Sequence, residues 1–160
     1  MPPVTSKRVF DERFATEVLA AVRGLAVDAV PRWGSMTGRE LTGHLLASLR
    51  YSMGEVPFDV PPQVPPWRGH ILRWLFLDLG LSMPRHVRFR SHDGDVVPLA
   101  TVDGGIDDLG KVLLRVAHAG PDEIPRPAPH PYFGVLTWLQ WKAFHVRHID
   151  HHLSQFGIKH

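Results

Sequence analysis

Residues 137–157 read Thr137-Trp138-Leu139-Gln140-Trp141-Lys142-Ala143-Phe144-His145-Val146-Arg147-His148-Ile149-Asp150-His151-His152-Leu153-Ser154-Gln155-Phe156-Gly157. Thr137 and Gln140 form a capping box, in which a threonine oxygen and a side chain three residues on each satisfy an orphan backbone N–H. Leu136 and Trp141 are the matching hydrophobic staple, and Gly157 suits the residue just past a helix end. The stretch is therefore a helix. At about 100° per residue, with His148 at zero, His152 falls near 40° and His145 near 60°. Ile149, Leu153, Phe156 and Val146 fill the adjoining arc, which makes that side the buried one. Arg147, Asp150, Ser154, Gln140 and His151 take the opposite arc, so His151 is expected among the solvated residues. His148 and His152 stand one turn apart, with β-carbons ~5–6 Å from each other. Spacing alone leaves two readings open: a pair of ligands for one metal ion, or two hydrogen-bonded core histidines.

Working outward, Thr37-Gly38-Arg39-Glu40 is a second capping box, with Met36 and Leu41 as its staple. The helix it opens carries Leu41, Leu45, Leu49, Met53 and Val56 on one arc, with His44 at the margin beside Ser48 and Ser52. Gly38 and Gly43 each weaken it by ~1 kcal/mol relative to alanine, so close packing is expected to hold it. Asp11 caps a first helix with Phe14, Val18, Leu19, Val22 and Leu25 at helical spacing. Ile71, Leu72, Leu75, Phe76 and Leu79 repeat similarly, and so do Leu109, Val112, Leu113 and Val116. Helices are expected over residues 11–27, 37–53, 67–79, 108–119 and 137–156. No segment sustains strand alternation. The fold class is all-α: a four-helix bundle with an additional short helix and proline-rich connections, in a single domain over residues 1–160.

Residues 57–66 hold five prolines in ten positions, an extended surface connection. Residues 85–92 alternate basic and apolar side chains; a short strand or a phosphate-touching patch fits, but a solvated connection is the preferred reading. His70 has no partner and His118 complements a helix C-terminus, so neither is given a role.

Among 160 residues, 44% hydrophobic and 21% charged, the balance is that of an ordinary globular chain. A net charge of +2 gives no argument for a nucleic-acid partner. The richest apolar run, residues 71–81, is broken by Arg73 and Asp78 and is short of the ~20 residues a membrane span needs. With no apolar leader in residues 1–13, the expectation is a cytoplasmic protein without membrane partners. There is no cysteine, so any metal site must use nitrogen and oxygen ligands.

The blocks Arg32-Trp33-Gly34-Ser35-Met36-Thr37 with His44-Leu45-Leu46, and His130-Pro131-Tyr132-Phe133-Gly134 with His148-Ile149-Asp150-His151-His152-Leu153-Ser154-Gln155-Phe156-Gly157, resemble a bacterial branch of the DinB-like (YfiT-like) superfamily. That resemblance implies a four-helix bundle with a divalent metal held by a histidine of the second helix and an i, i+4 pair on the last. Here those positions are His44, His148 and His152. Gly38, Gly43 and a fourth nearby nitrogen, His145, depart from the expected pattern, and His145 is either a further ligand or a neighbour of the ligands. Residues 57–107 match nothing in the superfamily's pattern.

Three neutral imidazoles leave a coordination position open, as in catalytic sites. Zinc fits best and nickel also suits imidazole. The superfamily resemblance implies a metal-dependent enzyme acting on a small-molecule substrate, with thiol S-transfer from a bacterial low-molecular-weight thiol as the leading chemistry. Protease chemistry is disfavoured, because Ile149 stands where a His-Glu-x-x-His helix has its base. Neither Glu40 nor Asp150 is assigned to catalysis. The alternative is a non-enzymatic metal- or ligand-binding bundle, in which the ion fixes helix packing or a homodimer.

Overall fold

A computed structural model describes residues 8–159. Five α-helices follow one another: α1 Glu12–Arg23, α2 Gly38–Ser52, α3 Pro66–Arg73, α4 Ile106–His118 and α5 Trp138–Gln155. Among the described residues there is no strand, only two isolated bridges, Arg90 with Val96 and His130 with Gly134. No helix there is long and apolar enough to cross a membrane.

The starts of α1, α2 and α5 lie where the caps placed them. Asp11 accepts from the Phe14 N–H at 2.8 Å. In the box opening α2, the Glu40 N–H donates to Thr37 Oγ1 at 3.3 Å, and the Thr37 N–H donates to Glu40 Oε2 at 2.8 Å. The box opening α5 has the Gln140 N–H on Thr137 Oγ1 at 3.2 Å and the Thr137 N–H on Gln140 Oε1 at 2.9 Å. Each such cap contributes about 1 kcal/mol. The fourth helix instead starts at Ile106, two residues before the expected 108, with Gly105 at the cap and its N–H donating to Asp108 Oδ2 at 2.9 Å. The first helix stops at Arg23, four residues early, because Gly24 takes the cap and turns its N–H back to the Ala20 carbonyl at 3.0 Å.

The segment expected as one helix over 67–79 is α3 followed by a π-helical turn, Trp74–Asp78. Gly69 and Leu72 face inward from α3 and Phe76 and Leu77 from the π-helical turn, whereas Trp67, Ile71, Trp74 and Leu79 are exposed; the wider turn shifts the phase only after Arg73.

Helices α1 and α2 both pack on α4, and both also touch α5. Phe14, Val18, Leu41, Leu45, Leu49, Leu109, Leu113, Ile149 and Leu153 meet in one core. At roughly 1.5–3 kcal/mol for each large apolar side chain buried, this shared interior is the main source of helix stability. Trp138 and Trp141 are buried and place their indole N–H groups on the carbonyls of Ala119 (2.9 Å) and Ala128 (2.8 Å). Those bonds fasten the proline-rich connection before α5, leaving neither indole N–H unsatisfied.

The glycines of α2 are explained by approach, as expected. A β-carbon on Gly38 would lie 2.2 Å from the Ala26 carbonyl oxygen, and one on Gly43 would lie 3.0 Å from that of Val102. Gly43 thus lets the backbone of residues 100–102 run against α2, where the Val102 N–H donates to the Gly43 carbonyl at 3.2 Å.

Candidate metal site and cavity

His44 on α2 and His148 and His152 on α5 converge. Their Nε2 atoms form a triangle with edges of 3.2 Å (His44–His148), 3.1 Å (His44–His152) and 2.9 Å (His148–His152). The group could hold a metal ion. Three nitrogens at about 2.0–2.1 Å from a tetrahedral zinc would lie roughly 3.3 Å apart, close to these edges.

The hydrogen bonds on the far side of two rings decide which nitrogen carries a proton. His44 Nδ1 lies 2.8 Å from the Ala100 carbonyl, which can only accept, so Nδ1 is the N–H and Nε2 presents a lone pair. The approach allowed by Gly43 is what brings Ala100 there. His152 Nδ1 lies 2.6 Å from Gln155 Oε1. Gln155 is itself oriented, because its Nε2 donates to the Trp33 carbonyl at 3.3 Å, which leaves Oε1 facing the imidazole. His152 Nε2 therefore also presents a lone pair. His148 Nδ1 is 3.3 Å from the Ser48 hydroxyl, which can donate or accept. The His44 and His152 lone pairs repel unless a cation lies between them. Burial disfavours a shared proton: it lowers the pKa of His44, and together with the neighbouring His44 it pushes that of His152 down to about 3. His148 is pushed well below the ordinary imidazole value by burial and then by His152 and His44. A donor set with its protons directed outward and its lone pairs inward fits a divalent cation.

His145 is not part of this group. It is fully buried on the other side, with Nε2 2.8 Å from Ser52 Oγ. Ser52 gives its hydroxyl proton to the Leu49 carbonyl at 2.7 Å, so His145 Nε2 is the donor of the pair. Its Nδ1 is left buried without a partner, and the ring stacks on Trp141 at 5.3 Å. Two α5 neighbours depart from the solvated arc expected of them. Asp150 is partly buried and pairs with Arg8 at 2.9 Å. His151 is half-buried, its ring edge-on to Trp33 at 4.9 Å. It also borders the cavity that opens onto the three histidines, its ring 5.2 Å from that of His152, so the solvated position expected of it is corrected.

A cavity of about 680 Å³ opens onto all three histidines. Its apolar lining includes Leu72, Phe76, Phe133 and Phe144, the last stacked on His148 at 5.0 Å and 17°. Another wall is the segment that was read as a solvated connection: Arg85, Val87, Arg88, Phe89 and Arg90 all border the cavity. That segment is tied down by two bonds between Gln63 and the Arg90 backbone, at 2.7 and 2.9 Å, and by Tyr132 donating to the Arg88 carbonyl at 2.7 Å. His130, in the second motif block, is a turn residue. Its Nδ1 accepts from the N–H groups of Tyr132 (3.1 Å) and Phe133 (3.2 Å), which sets the chain direction into the cavity wall.

No match was found among curated proteins or among solved structures. Residues 15–159 match the model of the family described as protein of unknown function (DUF1569), a span that runs from within α1 through α5 and includes His44, His148 and His152. The chain belongs to the DUF1569 family.

Proposed function

We propose that the chain is a divalent-metal-dependent enzyme, a four-helix bundle of the DinB-like type that binds zinc or nickel through His44, His148 and His152. The observation that carries this is the triangle of Nε2 atoms, in which Ala100 and Gln155 direct the His44 and His152 lone pairs inward. A divalent ion held there supplies Lewis acidity, which makes a weak nucleophile available at neutral pH.

The adjoining cavity favours an enzyme over a bundle whose ion is purely structural, since a closed structural site needs no substrate-sized space beside it. Its lining also bears on the reaction class. No aspartate or glutamate borders it among the described residues, so a carboxylate base for water is lacking. A thiol, with an ordinary pKa near ~8.5, needs less help to become a nucleophile than water does. This supports transfer over hydrolysis, with a small cytoplasmic thiol as one substrate. Phe144 covers one face of His148, while Ala100 and Gln155 hold the His44 and His152 imidazoles in register. Metal analysis of the purified protein tests the site, and a screen of low-molecular-weight thiols against electrophilic acceptors tests the chemistry. Bound metal with turnover that requires His148 is the expected result; stoichiometric metal without turnover would favour the structural-ion reading.

A further inference from the structure

The cavity has a charge bias that the three histidines do not explain. Arg85, Arg88 and Arg90 border it, no carboxylate does, and none of the three forms a salt bridge among the described residues. The Arg85 guanidinium has a fixed place. Its central carbon lies 5.2 Å over the Trp33 ring, and that ring also meets, edge-on at 4.9 Å, His151, next in the chain to His152. A guanidinium stacked on an indole keeps its N–H edge free and loses little freedom when that edge binds a carboxylate or phosphate, which a lysine could not reproduce. Trp33 is held in turn, since its carbonyl accepts from Gln155 and Gln155 orients His152. One short chain of contacts therefore joins the cationic end of the cavity to the triad.

We infer that the cavity takes a small organic anion, with its apolar body against Leu72, Phe76 and Phe133 and its carboxylate, phosphate or sulfonate on the Arg85 guanidinium held by Trp33. This rests on the metal reading only for the position of the reacting end at the three histidines; the anion contact itself does not require the ion. The class is narrower than "small molecule": neutral and cationic compounds of the same apolar shape leave Arg85 without a partner in a site that already concentrates positive charge.

Two dyes sharing an arylnaphthylamine body test it. 8-Anilinonaphthalene-1-sulfonate carries the anion, and N-phenyl-1-naphthylamine lacks it. Fluorescence titrations of the zinc-loaded protein should show tighter binding of the sulfonate. Arg85→Gln should weaken the sulfonate by about tenfold or more, the scale of one charge-assisted hydrogen bond, and leave the neutral dye and the metal content unchanged. Equal affinity for the two dyes, no effect of Arg85→Gln, or an equal loss for both dyes would overturn the inference. His148→Ala separates the two readings. Sulfonate binding that survives there and still depends on Arg85 supports the anion site whether or not the wild type holds metal. Wild-type metal without Arg85-dependent sulfonate binding removes the anion site and leaves the metal reading standing.

Discussion

Replacing Gln155 with methionine keeps the volume of the side chain and removes the oxygen that accepts from His152. Gln155 is 5% exposed and its Oε1 lies 2.6 Å from His152 Nδ1, so the side chain supplies the acceptor for that N–H. Two consequences follow. In the metal-free protein a buried N–H loses its acceptor, at a cost of about 1–3 kcal/mol. In the metal-binding reaction His152 is free to adopt the other tautomer, with the proton on Nε2, and must give it up before it can coordinate. Loss of an orienting partner of this kind typically costs 10–100-fold in metal affinity, or about 1.4–2.7 kcal/mol. Gln155→Glu should behave oppositely, because a carboxylate accepts from Nδ1 more strongly and makes Nε2 a better donor. Competition titration of zinc against a chromophoric chelator at pH 7.5 measures both variants. The expected order of affinity is Glu at least equal to Gln, and Gln well above Met. If Gln155→Met bound zinc like the wild type while remaining folded, the argument that Gln155 fixes the lone pair would be wrong.

His130 and His145 are buried and outside the triad, and desolvation pushes both pKa values down from 6.5 to about 3. Between those values the unfolded chain takes up protons that the folded chain refuses. Stability is thus fully present above about pH 6.5 and lost as pH falls toward 3, by about 2 kcal/mol per histidine at pH 5. Urea unfolding of the metal-free protein at pH 7.5 and pH 5 checks this, and equal stability at the two pH values would contradict it. His145→Phe should remove about 2 kcal/mol of that pH dependence and retain stoichiometric metal. Loss of metal from this variant in a folded state would return His145 to the ligand set. His151→Ala should also keep the ion, as measured by elemental analysis, because its ring faces Trp33.

The sequence carried α2, α5 and the facing of each histidine because these rest on local rules, whereas the grouping of His44 with His148 and His152 came from the superfamily resemblance. A capping box fixes where a helix starts, and from that start the helical period sends His44 to the margin of one apolar arc and His148 and His152 to that of another. What it did not carry is made of backbone and of distant contacts. The Ala100 carbonyl that orients His44 leaves no trace in side-chain identity, and its approach shows only indirectly, through the otherwise unfavourable Gly43. Of the repeat Ile71, Leu72, Leu75, Phe76 and Leu79, Leu79 falls outward because the π-helical turn Trp74–Asp78 shifts the phase without a distinctive residue pattern, and Ile71, before that turn, is exposed as well. Residues 85–90 look like any basic connection; their place against the cavity depends on Gln63 and Tyr132, which lie 27 and 44 residues away along the chain. Likewise His145 shares the face of His148 and His152, and only the position of Ser52 shows that it points past them.

Metal binding by this chain depends on the triangle of imidazoles. Elemental analysis of protein loaded with zinc or nickel and then freed of excess metal, for the wild type and for His44→Ala, His148→Ala and His152→Ala, tests it most directly. One ion per wild-type chain is predicted, with little or none in each variant, since two histidines fall short of the three protein ligands typical of a catalytic site. A folded wild type that retains no metal, or any of the three variants retaining a full equivalent, would contradict it.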